Sequence, residues 1–112
     1  MYEAELEVAV KLVSLLRAPL EELSRRDRSL ASQMRRATCT LAINLNEARH
    51  RRGKEREALF REAAESVAEA HTVLYLAETF GHLTVEITQP ARELLNQELV
   101  MLSSLTDGSS GH

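Results

Sequence analysis

Glu3, Glu7, Lys11, Ser14 and Arg17 recur at spacings of 4, 4, 3 and 3, which places them in one narrow polar stripe along a helix. Leu6, Val8, Ala9, Val10, Leu12, Val13, Leu15 and Leu16 spread over far more than the ~100° arc that a surface helix of a monomer buries. Such a helix is expected to have two covered sides, and Val8, Leu12 and Leu15 are candidate contacts with another copy of the chain. Pro19 is expected to end or bend it, leaving Leu20 to Arg28 as a short helical extension and a polar connection.

The next stretch carries Leu30, Met34, Ala37, Leu41, Leu45 and Ala48 at spacings of 4, 3, 4, 4 and 3, a core seam that predicts a second helix from about Ser29 to His50. Ile43 points away from that seam and is a further candidate subunit contact. Gly53 interrupts the pattern. A third helix is predicted from Lys54 to Phe80, with Phe60, Ala63, Val67, Ala70, Leu74 and Ala77 spaced 3, 4, 3, 4 and 3, and its small residues permit close packing. Gly81 suits a C-terminal cap, and Thr84 can cap a fourth helix that carries Leu94, Leu95, Leu99, Leu102 and Leu105. Pro90 predicts a late start or a kink there. Residues 106–112 offer nothing to bury and are expected to form a disordered tail after a single domain over residues 1–105. Long amphipathic helices joined by short connections predict an all-α, up-and-down antiparallel four-helix bundle.

Composition agrees: 44% apolar and 28% charged residues with four Gly, two Pro and no Trp leave little punctuation for strands and turns. A chain of 112 residues buries a modest share of its surface, so association with other copies would add stability. The one cysteine, Cys39, excludes an internal disulfide and is expected to be a small buried hydrophobe. The acidic N-terminal stretch and the lack of a long apolar run point to a cytoplasmic protein.

Charge is distributed unevenly. From Arg25 to Arg56 there are ten Lys/Arg against three acids, a balance of +7 in a chain whose net charge is −3, so the remainder carries −10. Arg49, His50, Arg51, Arg52, Lys54 and Arg56 crowd the second interhelical connection, where a phosphate backbone could meet several cations at once. Cations at a helix end also complement its dipole, so the same residues fit a solvated cap. Arg49, Arg51, Arg52, Lys54 and Arg56 are the candidate nucleic-acid contacts. Few aromatics lie near them, which favours backbone contact over base stacking.

Beside the seam of the second helix lie Arg36, Thr40, Asn44 and Glu47, expected to form an internal hydrogen-bonded network with Ser66 and Glu69 or, alternatively, a ligand site. An enzymatic reading finds little support. Glu47 and His50 match Glu-x-x-His, but a di-iron bundle needs a second copy of that motif and further carboxylates. His71 and His82 are not at zinc-ligand spacing, and no glycine-rich phosphate loop occurs. No catalytic residue, cofactor or metal site is expected.

Taken in order, Gln33-Met34-Arg35-Arg36-Ala37, Asn44-Leu45-x-Glu47, the basic run Arg51-Arg52-Gly53-Lys54-Glu55, Phe60, Ser66-Val67-x-Glu69 and Phe80-Gly81-His82-Leu83 resemble the four-helix bundle protein family. Its members include proteins encoded in intervening sequences of bacterial large-subunit ribosomal RNA genes. The family pattern runs Gln-Ile-Arg-Arg-Ala, Asn-Ile-Ala-Glu-Gly, a basic turn, a Phe, Gly-Ser-x-x-Glu and Leu-Gly-Tyr-Leu. This chain departs from it with Asn46-Glu47-Ala48 in place of Ala-Glu-Gly, Ala42 where proline is common, and Glu65 in place of the glycine before the serine. The resemblance implies a homo-oligomeric ring, typically a pentamer. It also implies kinship with the accessory variability determinant proteins of diversity-generating retroelements, which bind nucleic acid and a reverse transcriptase through basic ring surfaces. The expected function is therefore that of a non-enzymatic nucleic-acid-binding accessory protein, RNA or DNA being the ligand. The alternative is a scaffold ring that binds protein alone.

Overall fold

The computed structural model describes residues 3–110, which form four helices: α1 Glu3–Arg26, α2 Arg28–Ala48, α3 Gly53–Thr79 and α4 Val85–Ser110. Among the described residues there is no strand. Neighbouring pairs are α1 with α2, α2 with α3, α3 with α4, and α4 with α1, the cyclic order of an up-and-down bundle. The molecule is a rod about 45 Å long and 20 Å across. One continuous core fills it, led by Leu12, Leu16, Leu23, Met34, Leu41, Leu45, Val67, Leu74, Leu95 and Leu102. Ala9, Ala31, Ala37, Ala48, Ala63, Ala70, Ala77 and Ala91 are buried among them and let the helix backbones approach.

Pro19 does not end α1. It lies inside a single 24-residue helix, although its ring removes the hydrogen bond to the carbonyl four residues back, at a cost of about 3 kcal/mol in a helix interior. Leu16, Leu20 and Leu23 are buried on either side of it, so packing carries the helix across the gap. Pro90 sits inside α4 in the same way, as the sixth residue of the helix. That helix also runs through Ser110, so residues 106–110, expected to be disordered, are helical, and the Thr106 hydroxyl donates to the carbonyls of Leu102 (3.1 Å) and Ser103 (3.2 Å). The last two residues of the expected tail, 111–112, lie outside the described part.

The connections are built from specific caps. Asp27 is extended and its carboxylate accepts from the Leu30 N–H at 3.1 Å, starting α2. At the end of α3, Gly81 takes φ +76°, the Gly81 N–H donates to the Glu78 carbonyl and the His82 N–H to the Ala77 carbonyl, which is a Schellman ending. The Thr84 hydroxyl accepts from the Ile87 N–H at 3.3 Å and caps α4 as its sequence predicts. His82 Nε2 lies 3.4 Å from Asp27 Oδ2, so these two connections meet at one end of the rod. Glu78 is bonded by Arg92 and by the Thr88 hydroxyl (2.8 Å), tying α3 to α4 near that end.

Leu12→Ala should therefore lower the unfolding free energy by about 2–5 kcal/mol, the usual cost of emptying a fully buried leucine site. Asp27→Ala should cost about 1 kcal/mol through the lost cap. Urea unfolding followed by circular dichroism measures both; a near-neutral Leu12→Ala would contradict its place in the core.

Candidate nucleic-acid interface at the basic turn

The other end of the rod carries the turn between α2 and α3. Arg49 closes α2 in helical conformation, the His50 N–H donates to the Glu47 carbonyl at 2.9 Å, and Arg52 is extended at φ −139° and ψ 160°. Gly53 then takes φ +60°, a left-handed conformation that side chains disfavour; an added Cβ would touch nothing, so the glycine serves the backbone angle and not close packing. The result is a tight reversal that leaves Arg49, His50, Arg51, Arg52 and Lys54 exposed.

Their pairings are weak or absent. Arg51 Nε lies 3.5 Å from Glu55 and Arg49 lies 4.0 Å from Glu3, both exposed contacts of the kind that contribute little in water. Among the described residues no side chain pairs with Arg52 or Lys54. Arg56 differs: it is half-buried and its Nε donates to the Ala48 carbonyl at 3.3 Å, satisfying an orphan acceptor at the end of α2. Four of the five candidate cations thus face solvent together, while Arg56 also braces the turn. Arg25, Arg26 and Arg28 lie at the opposite end, where Glu22 binds Arg25 and Arg26. These hydrogen bonds, Arg26 foremost, hold the Glu22 carboxyl below its ordinary range.

The expected internal network does not form within the chain. Arg36, Thr40, Glu47 and Glu69 are exposed, Asn44 and Ser66 are buried, and no hydrogen bond joins them. Each step of four residues turns ~40° further round a helix, so Asn44 reaches the edge of the seam while Arg36 and Thr40 remain outside it. Of the candidate subunit contacts, Val8 and Leu12 belong to the chain's own core, because they lie on the same α1 face as Leu16 and Leu23. Leu15 and Ile43 are 41% and 56% exposed, joined by Val10 (57%) and Val13 (40%). Cys39 is exposed instead of buried, since it lies across α2 from the seam formed by Met34, Leu41 and Leu45. His71 is half-buried on α3; burial, then Arg92, lowers its pKa against a hydrogen bond with Asn96. Among the described residues no three His, Cys, Asp or Glu gather as metal ligands.

Glu98 is a core residue that a list of leucines passes over. It has no exposed surface, and neither carboxyl oxygen has a hydrogen-bond partner; Glu5 Oε2 and Asn44 Nδ2 are buried without partners as well. Its position was available from spacing: Ala91, Leu95, Glu98, Leu102 and Leu105 run at 4, 3, 4 and 3, with the carboxylate standing in the seam. Burial, and secondarily the Glu5 charge, pushes the Glu98 carboxyl up to about 8.

The family model of the 23S rRNA-intervening sequence protein matches residues 2–104, and the chain belongs to this family. Neither a curated protein nor a solved structure matches it significantly.

The raised Glu98 value has a definite sign. The folded state holds the proton more tightly than an unfolded chain with a value of 4.5, so the stability tied to it is complete below about pH 4.5 and is lost as pH rises to about 8. Glu98→Gln should remove that loss, exceeding the parent at pH 8 by on the order of a few kcal/mol and converging with it near pH 5. Urea titrations from pH 5 to 9 read the difference; parallel curves for the two proteins would contradict the buried, protonated carboxyl.

Proposed function

We propose that this protein is a non-enzymatic, cytoplasmic accessory protein that binds nucleic acid through phosphate contacts at the turn between α2 and α3. What carries the reading is the cluster of Arg49, Arg51, Arg52 and Lys54, exposed at one end of a rod whose remaining charge is acidic. Membership in a family named for ribosomal RNA intervening sequences supports it. Among the described residues the turn has no aromatic platform, which favours contacts to the backbone and binding weakly dependent on sequence. RNA is the nucleic acid that the family's name favours, with DNA accessible to the same chemistry.

One turn holds too few cations for tight binding at physiological salt, because each neutralised phosphate adds only about one unit to the salt slope. Repetition of the turn around a homo-oligomeric ring overcomes that limit, and a pentamer is what the family resemblance implies. Exposed Val10, Val13, Leu15 and Ile43 support such an assembly, since a monomer gains nothing by leaving them in water. The same apolar residues favour a second reading, a scaffold ring whose partner is a protein such as a reverse transcriptase.

Fluorescence anisotropy with single-stranded and duplex RNA and DNA separates these readings. The wild type should bind at low salt, lose affinity steeply towards moderate salt, and lose detectable binding when Arg51, Arg52 and Lys54 are changed together to Glu. The triple variant should keep its helical content and assembly, because the three side chains project from a solvated turn. Absence of wild-type binding at low salt would leave the scaffold reading.

A further inference from the structure

Charge is separated between faces as well as along the chain. Between α1 and α2 run two adjoining grooves that share Glu21 and Arg35; Arg28 lines one, and Arg17 lines the other together with Val13 and Cys39. Among the described residues Arg17, Arg28 and Arg35 have no ion-pair partner, whereas Arg25 beside them is bound by Glu22. Arg28 and Arg35 are seven residues apart, two helical turns or ~10.5 Å along α2.

α3 presents the opposite sign with the same period. Glu62, Glu65 and Glu69 are exposed at spacings of 3 and 4, so they share one face, and Glu62 to Glu69 again spans seven residues. Among the described residues none of the three has an ion-pair partner. Like charges at these spacings repel, and beyond Arg56 the one cation of α3 is Arg61. Beside the acids lie Ala68 and Thr72, small enough for another helix to come close, and then exposed Tyr75.

We propose that the acidic face of α3 in one copy seats in the arginine-lined groove between α1 and α2 of the next, Glu62, Glu65 and Glu69 facing Arg17, Arg28 and Arg35. The contact rests on the self-association proposed above and says which faces meet. It is head-to-tail: each copy offers one face of each kind, so copies follow one another and close into a ring when the rotation permits. Exposed Val13 and Cys39 in the groove lining and exposed Ile43, four residues beyond Cys39 on α2, supply apolar burial, while the charge pattern sets register and disfavours pairing of like faces.

Size exclusion with light scattering at micromolar concentration and about 0.1 M salt tests this contact. The wild type should be oligomeric. Arg28→Glu with Arg35→Glu should weaken association at least about tenfold, as should Glu62→Arg with Glu69→Arg, because each places like charges opposite one another. The chain carrying all four changes should regain much of its association, since the signs are then exchanged at four of the six positions while Arg17 and Glu65 keep theirs. A glutamate at position 28 begins α2 and complements its dipole, so folding should survive, and circular dichroism checks it. Should the arginine variant nevertheless unfold, Glu62→Gln with Glu69→Gln reads the same contact as a smaller loss of mass. A monomeric wild type overturns self-association and the contact with it. An oligomer unaffected by either reversal overturns the contact alone, leaving the groove to a different protein, and loss without restoration in the fourfold variant overturns the pairing of these two faces.

Discussion

Four apolar seams must close on one axis, and the other features of this protein are accommodated to that closure. Leu12, Leu41, Leu45, Val67, Leu74, Leu95 and Leu102 are almost wholly withdrawn from water. Each such side chain contributes ~1.5–3 kcal/mol on burial, so the seams outweigh local penalties of similar size. α1 stays continuous across Pro19 and α4 across Pro90 for this reason. Even Glu98 is drawn into the interior, where burial pushes its carboxyl up to about 8 and favours the protonated form.

Closure also decides where charge can go. With the inner faces committed to leucine and alanine, every cation except the half-buried Arg56 and Arg92 is left on an outer surface or in a turn. The reversal at Gly53 is short, so Arg49, Arg51, Arg52 and Lys54 are concentrated within one turn at one end of a 45 Å rod. At the other end, where the two remaining connections meet, Asp27 and His82 lie together and Arg25 and Arg26 are paired with Glu22, leaving Arg28, among the described residues, as the unpaired cation beside them. A polyanion approaching from solution therefore meets different fields at the two ends, although the net charge of −3 would repel it at long range.

Most of the architecture was legible in the spacing of apolar residues, because alternating steps of 3 and 4 identify a helix and its buried face together. Leu30, Met34, Ala37, Leu41, Leu45 and Ala48 are buried as their spacing predicts. Two kinds of residue escaped. Cys39, Val8 and Leu12 show that apolar character does not say which side of a helix a residue faces: Cys39 is on the far side of α2, and Val8 and Leu12 are inside where an outer contact was expected. Glu5 and Glu98 show the converse, polar residues at seam positions. Pro19 does not end α1 because its penalty is a local cost, whereas the burial of Leu20 and Leu23 beyond it is a tertiary gain that spacing up to the proline does not show. At the turn, the grouping of cations was visible in sequence, but the bond from Arg56 to the Ala48 carbonyl depends on how tightly α2 and α3 reverse.

The same geometry explains why one chain leaves so many groups without partners. A helix in a four-membered bundle is covered over roughly half its circumference, and α1 has apolar residues beyond that half. α2 and α3 meet the corresponding limit in charge, one with arginines and the other with glutamates on outer faces that its own fold cannot bring together. Lengthening the helices would not help, because it would extend the covered and uncovered faces alike. Contact with another copy could cover them without altering the core, and it would set several basic turns at fixed distances around one assembly. In such an assembly the groups that the single chain leaves unsatisfied and the polyvalent presentation of its cations have a common origin.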